Sequence, residues 1–362
     1  MQNIPRYLYV ILCTILCLTI TGVANACTGI QVQATDGAVI FARTLEFGTP
    51  LKSNIMFSPA DQNWASSTPN NKKGMAWKNT YAFLGTNILD ERIFIDGINE
   101  KGLYVGGFWF PNMANYAKPV GESASRMMAP ADVVSFLLGT CGSLKGVEDA
   151  LEDIEIVGVK NKQLGTIPPM HWIVIDNAGN AIVIEPLAGE IVIAKNPVGV
   201  FTNSPQFLWH LQNLSNYINL SAENIPSKKF KEYTATAIGE GTGMMGIPGD
   251  YTPPSRFVRA ALLRNAATPT RTADEALNQA FMLISNVSIA KGLARNGSNI
   301  ADYTQWTAVY DLQRKRCYFR TYMNQDIRVV HLDKLLKQKD NVVSIPMWDV
   351  PPSYKDITDS AK

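Results

Sequence analysis

Cysteine and histidine are both scarce in this 362-residue chain, which holds five of the first and three of the second. Cys13 and Cys17 fall in an apolar N-terminal stretch, leaving Cys27, Cys141 and Cys317 beyond it. Three thiols at this length exclude a disulfide scaffold, and an odd number flags one free thiol. Cys141 and Cys317 either pair or are buried separately, and separate, inert burial is the expectation. The histidines, His171, His210 and His331, are scattered without ligand spacing to Cys, Asp or Glu, so the zinc patterns are excluded and no cofactor is expected. Excess charge of one sign is missing too. Lys and Arg total 33 against 31 Asp and Glu, a formal net charge of +2. That balance argues against nucleic acid or an anionic membrane as the main partner. No G-x-S-x-G elbow offers a serine nucleophile. After the first apolar run, none approaches the about 18–20 residues needed to cross a bilayer. The hydrophobic share of 46% and charged share of 18% are those of a globular protein. No repeat, low-complexity tract or linker divides it, so residues 27–362 are read as a single domain.

What is present begins at the N-terminus. Arg6, an apolar run from Leu8 to Ile20, and the exit Ala24-Asn25-Ala26 have the layout of a secretory leader cut after Ala26. Cleavage makes Cys27 the new first residue, carrying both a thiol and a free α-amine. The amine has a pKa of roughly 7.7–8.0 and the thiol about 8.5. Nucleophile and base then share one residue, the logic of an N-terminal-nucleophile hydrolase. The predicted product is soluble and periplasmic or secreted. Two alternatives compete: coincidence, and a lipoprotein with an acylated cysteine. Lipoprotein signals favour Leu three residues before the cysteine, where this chain has Ala24.

Turn chemistry at Asp36-Gly37 separates strands predicted over Thr28–Gln33 and Ala38–Arg43. Further hairpins are expected from His171–Asp176 with Ala181–Glu185, Glu190–Ala194 with Gly199–Thr202, and Trp306–Leu312 with Arg316–Tyr322. Helical periodicity falls at Pro130–Leu138, Leu144–Ile154, Ser255–Ala266 and Ala273–Val287. Hairpins and helices in separate blocks predict an α+β fold with antiparallel sheets under helices. Gly241-Thr-Gly243-Met-Met-Gly246 matches the dinucleotide-binding pattern in letters. Pro248 and Gly249 follow where a helix should open, so a glycine-rich surface loop is the better reading.

Five ordered segments carry a resemblance. They are Cys27-Thr28-Gly29; Phe41-Ala-Arg43-Thr-Leu-Glu46; Asp96-Gly-Ile-Asn99-Glu-Lys-Gly102-Leu103; Thr202-Asn203-Ser204-Pro205; and Pro248-Gly-Asp-Tyr-Thr-Pro-Pro-Ser255-Arg256-Phe257. In order and spacing, from Cys27 to about Tyr322, the chain resembles the choloylglycine hydrolase family, which includes bile salt hydrolases and penicillin V acylases. The resemblance implies an αββα sandwich of two antiparallel sheets. It also implies roles, residue by residue. Cys27 attacks the amide carbonyl, and its own amine relays the proton. Arg43 favours the thiolate, Asn203 donates a side-chain hydrogen bond to the oxyanion, and Arg256 is the second site arginine. Glu46 stands where the family usually has Asp to hold the α-amine. Trp109 stands where bile salt hydrolases carry Asn and penicillin V acylases often Tyr; its main-chain N–H is implied in the oxyanion hole. An indole there resembles acylases from Gram-negative bacteria.

The resulting expectation is an exported hydrolase of linear amide C–N bonds acting on a small molecule with a bulky apolar acyl side and a small polar amine side. Conjugated bile salts, penicillin V and acyl-homoserine lactones all fit. Pocket loops are expected near Met56–Phe57, Phe83–Leu84, Phe108–Phe110 and Met127–Val134. Leu211–Thr242, with Tyr217, Phe230, Tyr233 and the lysines Lys228, Lys229 and Lys231, matches the place of a subunit-bridging loop in bile salt hydrolases and predicts a homotetramer. The alternative from another class is a secreted or lipid-anchored binding protein that kept the fold and lost the chemistry.

Overall fold

The strand Cys27–Gln33 is buried at every position but the last, because it is covered on both faces. Its partner Val39–Phe47 runs antiparallel, setting Cys27 opposite Leu45 and Gly29 opposite Arg43. Between them Asp36 caps the turn by accepting from Ala38 N at 3.0 Å, and Gly37 takes a φ of 89°, which suits glycine best. The computed structural model describes residues 26–119, 124–296, 298–337, 340–348 and 350–360. The expected leader, Ala26 apart, lies outside the described residues.

Two antiparallel sheets stack face to face. The first runs Val200–Phe201, Cys27–Gln33, Val39–Phe47, Ala301–Asp311, Arg316–Thr321 and Arg328–His331, with Ala294–Arg295 also on Ala301–Asp311. The second runs Glu190–Lys195, Ala181–Leu187, Met170–Ile175, Tyr104–Trp109, Ile93–Asn99, Phe83–Ile88, Asn54–Ser58 and Val343–Pro346. Aromatic rings lock the layers: Phe41 meets Tyr104 at 4.5 Å between centroids, and Tyr104 meets Tyr310 at 5.1 Å. Helices Pro253–Ala266 and Ala273–Ser285 cover the first sheet, and Val133–Thr140 covers the second. This is the expected αββα sandwich. Among the described residues no helix is long and apolar enough to cross a membrane.

The helices start where side chains satisfy their first N–H groups. Ser143 accepts from Gly146 N before Leu144–Glu152, and Thr272 from Glu275 N before Ala273–Ser285. Pro253 and Pro254 open the helix that carries Arg256, since a first turn needs no proline N–H. The predicted Pro130–Leu138 helix starts as a 3₁₀ turn, Pro130–Asp132, and continues as Val133–Thr140.

Three sequence expectations need correction. Glu190–Lys195 pairs with Ala181–Leu187, not with the segment after Gly199. Asn196 makes a turn, accepting from Val198 N and Gly199 N. The chain then changes sheets, and Val200–Phe201 joins the open edge of Cys27–Gln33. Met56–Phe57 and Phe83–Leu84 are buried strand residues of the second sheet rather than pocket loops. The strand expected over Ala38–Arg43 runs on to Phe47, because Ala301–Asp311 pairs with it as far as Tyr303.

The glycine-rich run forms a 3₁₀ turn, Thr242–Met244, between glycines at φ 88° and 95°, with no strand–helix unit around it. Before it, Lys228–Phe230 and Tyr233–Ala235 make a small exposed hairpin. Cys27, Cys141 and Cys317 are each free and buried, as expected of unpaired thiols.

Candidate active site

Alternation along Val39–Phe47 sends Arg43 and Leu45 to the face between the sheets, and Thr44 and Glu46 to the helix face. Cys27, opposite Leu45, puts its sulfur on the inter-sheet face. There Arg43 Nη2 donates to Cys27 Sγ at 3.4 Å. The guanidinium is wedged into the second sheet, where Nη1 donates to Gly107 O at 3.1 Å and Ile95 O at 3.3 Å. Its Nε lies 3.6 Å from Asp96 Oδ2, with both side chains fully buried. Phe108 and Trp306 rings flank it at 4.4 Å and 5.3 Å. Asp96 is fixed in turn by Thr86 and by Tyr310 OH at 2.7 Å. Burial opposes the charge on Arg43, but Cys27 and Asp96 outweigh it and the pKa ends above the usual value.

On the other side of Cys27, its nitrogen donates to Asn203 Oδ1 at 2.7 Å. Arg256 Nη2 donates to the same oxygen at 2.8 Å, and Arg256 Nη1 to Cys27 O at 2.6 Å and to Thr28 Oγ1. Asp250 fixes the turn that delivers Arg256. It accepts from Thr252 N at 2.9 Å and from Ser255 Oγ at 2.6 Å, and these bonds hold its pKa near 2. Asn203 Nδ2 donates to Trp109 O at 2.8 Å, which leaves its second N–H for another acceptor. The Asn203 carbonyl accepts from His210 Nε2 at 2.9 Å. Burial lowers His210 to about 4, so the ring is neutral at pH 7. A carbonyl partner then selects the Nε2–H tautomer.

Glu46 lies beside the Ala26–Cys27 junction, its N donating to Ala26 O at 2.9 Å. Its Oε1 accepts from Thr304 Oγ1 at 2.6 Å, and Oε2 is buried without a hydrogen bond. The Cys27 nitrogen is still a peptide N–H with one proton to give, and Asn203 takes it. Burial raises Glu46 to about 7 against the pull of Arg256, Thr304, Thr44 and Arg43. The Cys27 thiol is raised as well. Burial pushes its pKa up, Arg43 pulls it down most, Glu46 adds to the rise and Arg256 opposes it. Arg43 therefore acts in the expected direction, but in a closed site desolvation exceeds it.

A narrow cleft reaches Cys27 and is walled by apolar side chains, among them Phe47, Leu51, Ile88, Trp109, Val134 and Met170. Of the expected pocket segments, Trp109, Pro130, Ala131 and Val134 line it, whereas Met56, Phe57, Phe83, Leu84, Phe108, Phe110 and Met127–Ala129 do not. Phe110 N donates to Pro169 O at 2.7 Å. In an alternating antiparallel ladder, the adjacent Trp109 N–H therefore turns away from that strand.

Residue by residue, Cys27, Arg43, Asn203 and Arg256 converge in direct contact, Trp109 reaches them through its carbonyl, and Glu46 joins through charge. Asp96, Thr304 and His210 were missed. Asp96 stood inside one of the five segments, where a buried acid opposite an arginine was legible in principle. Thr304 left no signal. A profile of linear amide C–N hydrolases, choloylglycine hydrolase family, matches residues 27–344. The chain belongs to that family.

Relatives agree across most of the choloylglycine hydrolase-like region. The chain is 32% identical over 308 residues to a bile salt hydrolase/transferase of Clostridium perfringens, covering 85% of this chain and 93% of that protein. Among solved structures, it superimposes on a mutant conjugated bile acid hydrolase from Clostridium perfringens with a TM-score of 0.83 and 29% identity. That match covers 91% of this chain and 99% of the other. Penicillin V acylase from Agrobacterium tumefaciens gives a TM-score of 0.72 at 22% identity over 90% of this chain and 94% of that one, a likeness of fold.

Proposed function

We propose that this member of the family is an exported cysteine amidase, activated when cleavage after Ala26 frees the Cys27 amine. Its substrates join a bulky apolar acyl group to a small polar amine. The observation that carries this is the convergence on Cys27. Sulfur has Arg43 at 3.4 Å, nitrogen has Asn203 Oδ1 at 2.7 Å, and both sit at an apolar cleft.

In the proposed reaction Cys27 Sγ attacks the amide carbonyl while its proton passes to the α-amine. The tetrahedral oxyanion receives the second N–H of Asn203 and the main-chain N–H of Trp109. Collapse breaks the C–N bond, and the α-ammonium returns its proton to the leaving nitrogen. Water, deprotonated by the amine, then attacks the thioester and restores the thiol. Arg43 favours the thiolate, and Arg256 holds the Cys27 carbonyl and Asn203. Glu46, with one unpartnered oxygen, is the acceptor on the helix side for the new α-ammonium.

The test is a hydrolysis panel on protein beginning at Cys27, comparing glycine- and taurine-conjugated bile acids, penicillin V and long-chain acyl-homoserine lactones. Relatives named as bile salt hydrolases put the bile acids first. No release of amine from any class would overturn the reading. Intact mass separates a bare Cys27 terminus from an acylated one, and so the amidase from a lipid-anchored binder. The homotetramer remains part of the proposal, supported by apolar groups the hairpin region leaves outside: Phe230 is 54%, Tyr233 68% and Ile238 fully exposed. Light scattering at micromolar concentration decides it, and a mass near one chain rules it out.

A further inference from the structure

The loop from Gly48 to Ser53 leaves the Glu46 strand and supplies Leu51 to the cleft wall. Although it is a loop residue, Leu51 is buried. Gln305, at a bulge in the strand Ala301–Asp311, accepts from Leu51 N at 3.0 Å. It also donates to Phe47 O at 3.0 Å and Thr49 O at 2.7 Å. These bonds hold the first half of the loop. Leu89 N donates to Leu51 O and Asn87 accepts from Asn54 N, and between them the Ser53 carbonyl is held from the other end of the chain.

Val343–Pro346 is the last strand of the second sheet and pairs with Asn54–Ser58, Pro346 opposite Asn54. The chain then crosses toward the far edge of the first sheet. Met347 is fully buried, and its carbonyl accepts from Arg328 Nη1 at 2.6 Å. Asn324 Nδ2 donates to Val350 O at 2.9 Å, and Asp326 accepts from Ser353 Oγ at 2.7 Å. At the crossing, Trp348 Nε1 donates to Ser53 O at 2.6 Å. Ser53 is itself buried, so its carbonyl needs a protein donor. Trp348 leaves 37% of its surface outside, so its inward feature is the indole N–H.

We infer that the C-terminal segment around Trp348 is a clamp on loop 48–53 that fixes the Leu51 wall of the cleft, making Trp348 a positioning residue for acyl selection. The acyl-selection half rests on the amidase reading; the clamp itself does not. A hydrogen bond net worth 0.5–1.5 kcal/mol in typical proteins corresponds to about a two- to tenfold effect.

The experiment compares wild type, Trp348→Phe and Trp348→Ala, all beginning at Cys27. Phenylalanine keeps a ring and removes the N–H, so it remains informative if the alanine variant does not fold. Hydrogen exchange of residues 48–54 is expected to quicken about two- to tenfold in Trp348→Phe, while that of 27–33 stays put. With a bulky polycyclic and a short linear acyl amide, KM for the bulky one should shift about two- to tenfold. Its kcat should hold within about twofold, because nothing at Cys27 moves. Unchanged exchange at 48–54 overturns the clamp. Quickened exchange with an unchanged ratio of the two KM values, or a fall in kcat alone, overturns the selection role. If wild type cleaves no amide, the amidase reading fails; displacement of an apolar dye from the cleft then replaces KM, and exchange still decides the clamp.

Discussion

The two sides of Cys27 are built on different terms. On the sulfur side, Arg43 is pinned between sheets by two carbonyls, two rings and Asp96. On the nitrogen side, Arg256, Asn203, Thr28, Thr304 and Glu46 share hydrogen bonds, with one carboxylate oxygen unpartnered. Both arginines are fully buried, yet burial leaves Arg256 with a lowered pKa while Arg43 is raised. Arg43 faces both Cys27 and Asp96 at close range, and their pull on its charge outweighs its desolvation. The sulfur side is thus a fixed counter-charge. The nitrogen side is a set of exchangeable bonds able to receive a different nitrogen from the peptide N–H it now holds.

The largest effect should come from that nitrogen. Protein beginning at Cys27 is expected to turn over substrate. The same protein carrying a verified, uncut extension before Cys27 should lose activity on the order of 10⁴-fold or more, as should Cys27→Ala. Circular dichroism should show both folded. Equal rates for cut and uncut protein would mean that the nitrogen side plays no chemical part, and the comparison would collapse.

Next in size is Asn203→Ala. It removes the acceptor of the Cys27 nitrogen and the donor that ties Trp109 O to the site. Loss of one oxyanion donor costs about 10²–10³-fold in kcat, with KM nearly unchanged. A KM effect alone would reduce Asn203 to a loop-capping residue.

Much of this was legible in the chain. Cys27, Arg43, Asn203 and Arg256 could be read because each sits in a short local segment whose neighbours are also constrained. Gly29 shows the constraint: a Cβ there would strike the Phe41 ring across the pair. The inner strands of the second sheet were not legible. Phe83–Ile88 and Tyr104–Trp109 are buried on both faces, so they lack the alternation that marks a half-exposed strand. The sheet change after Asn196 was hidden for a different reason. Its turn chemistry suits a hairpin, and only the open edge beside Gly29 and Ile30 diverts the chain. Glu46 was found, but its partner was not, since Thr304 lies 258 residues away in sequence.

A third effect separates the sides by pH. Glu46 is raised from 4.5 to about 7, by burial first. Between those values the folded chain keeps a proton that the unfolded chain has lost. The associated stability is full below about 4.5 and is lost as pH rises through about 7. In the uncut protein this amounts to about 3 kcal/mol. Asp132 and Asp302, each raised to about 6 by burial, slope the same way. Urea melts from pH 4.5 to 7.5 should therefore show falling stability, and Glu46→Gln should flatten part of that fall. An unchanged slope in Glu46→Gln would place the proton elsewhere.

The smallest effect tests whether the sulfur chemistry belongs to Cys27 alone. Cys141 lies behind the Val133–Thr140 helix with Sγ 3.4 Å from Gly146 O, and burial raises its pKa to about 11. Cys317 is fully buried, and burial together with Asp96 lifts it well above the usual value. Neither forms a thiolate at neutral pH, and neither lines the cleft. Cys141→Ser should thus keep kcat/KM within about twofold. Exchanging a buried sulfur for a hydroxyl should lower stability by about 1 kcal/mol, with Gly146 O as a ready acceptor. Cys317→Ser should also keep its rate but lose more stability, because the site is fully buried and its sulfur reaches the Tyr318 carbonyl only at 4.0 Å. Thiol labelling separates the three residues at once. An alkylating reagent at pH 8 should inactivate the protein beginning at Cys27 in step with modification of that residue, with Cys141 and Cys317 untouched until the chain unfolds. Inactivation that instead followed Cys141 or Cys317 would move the nucleophile away from Cys27 and undo the contrast between its two sides.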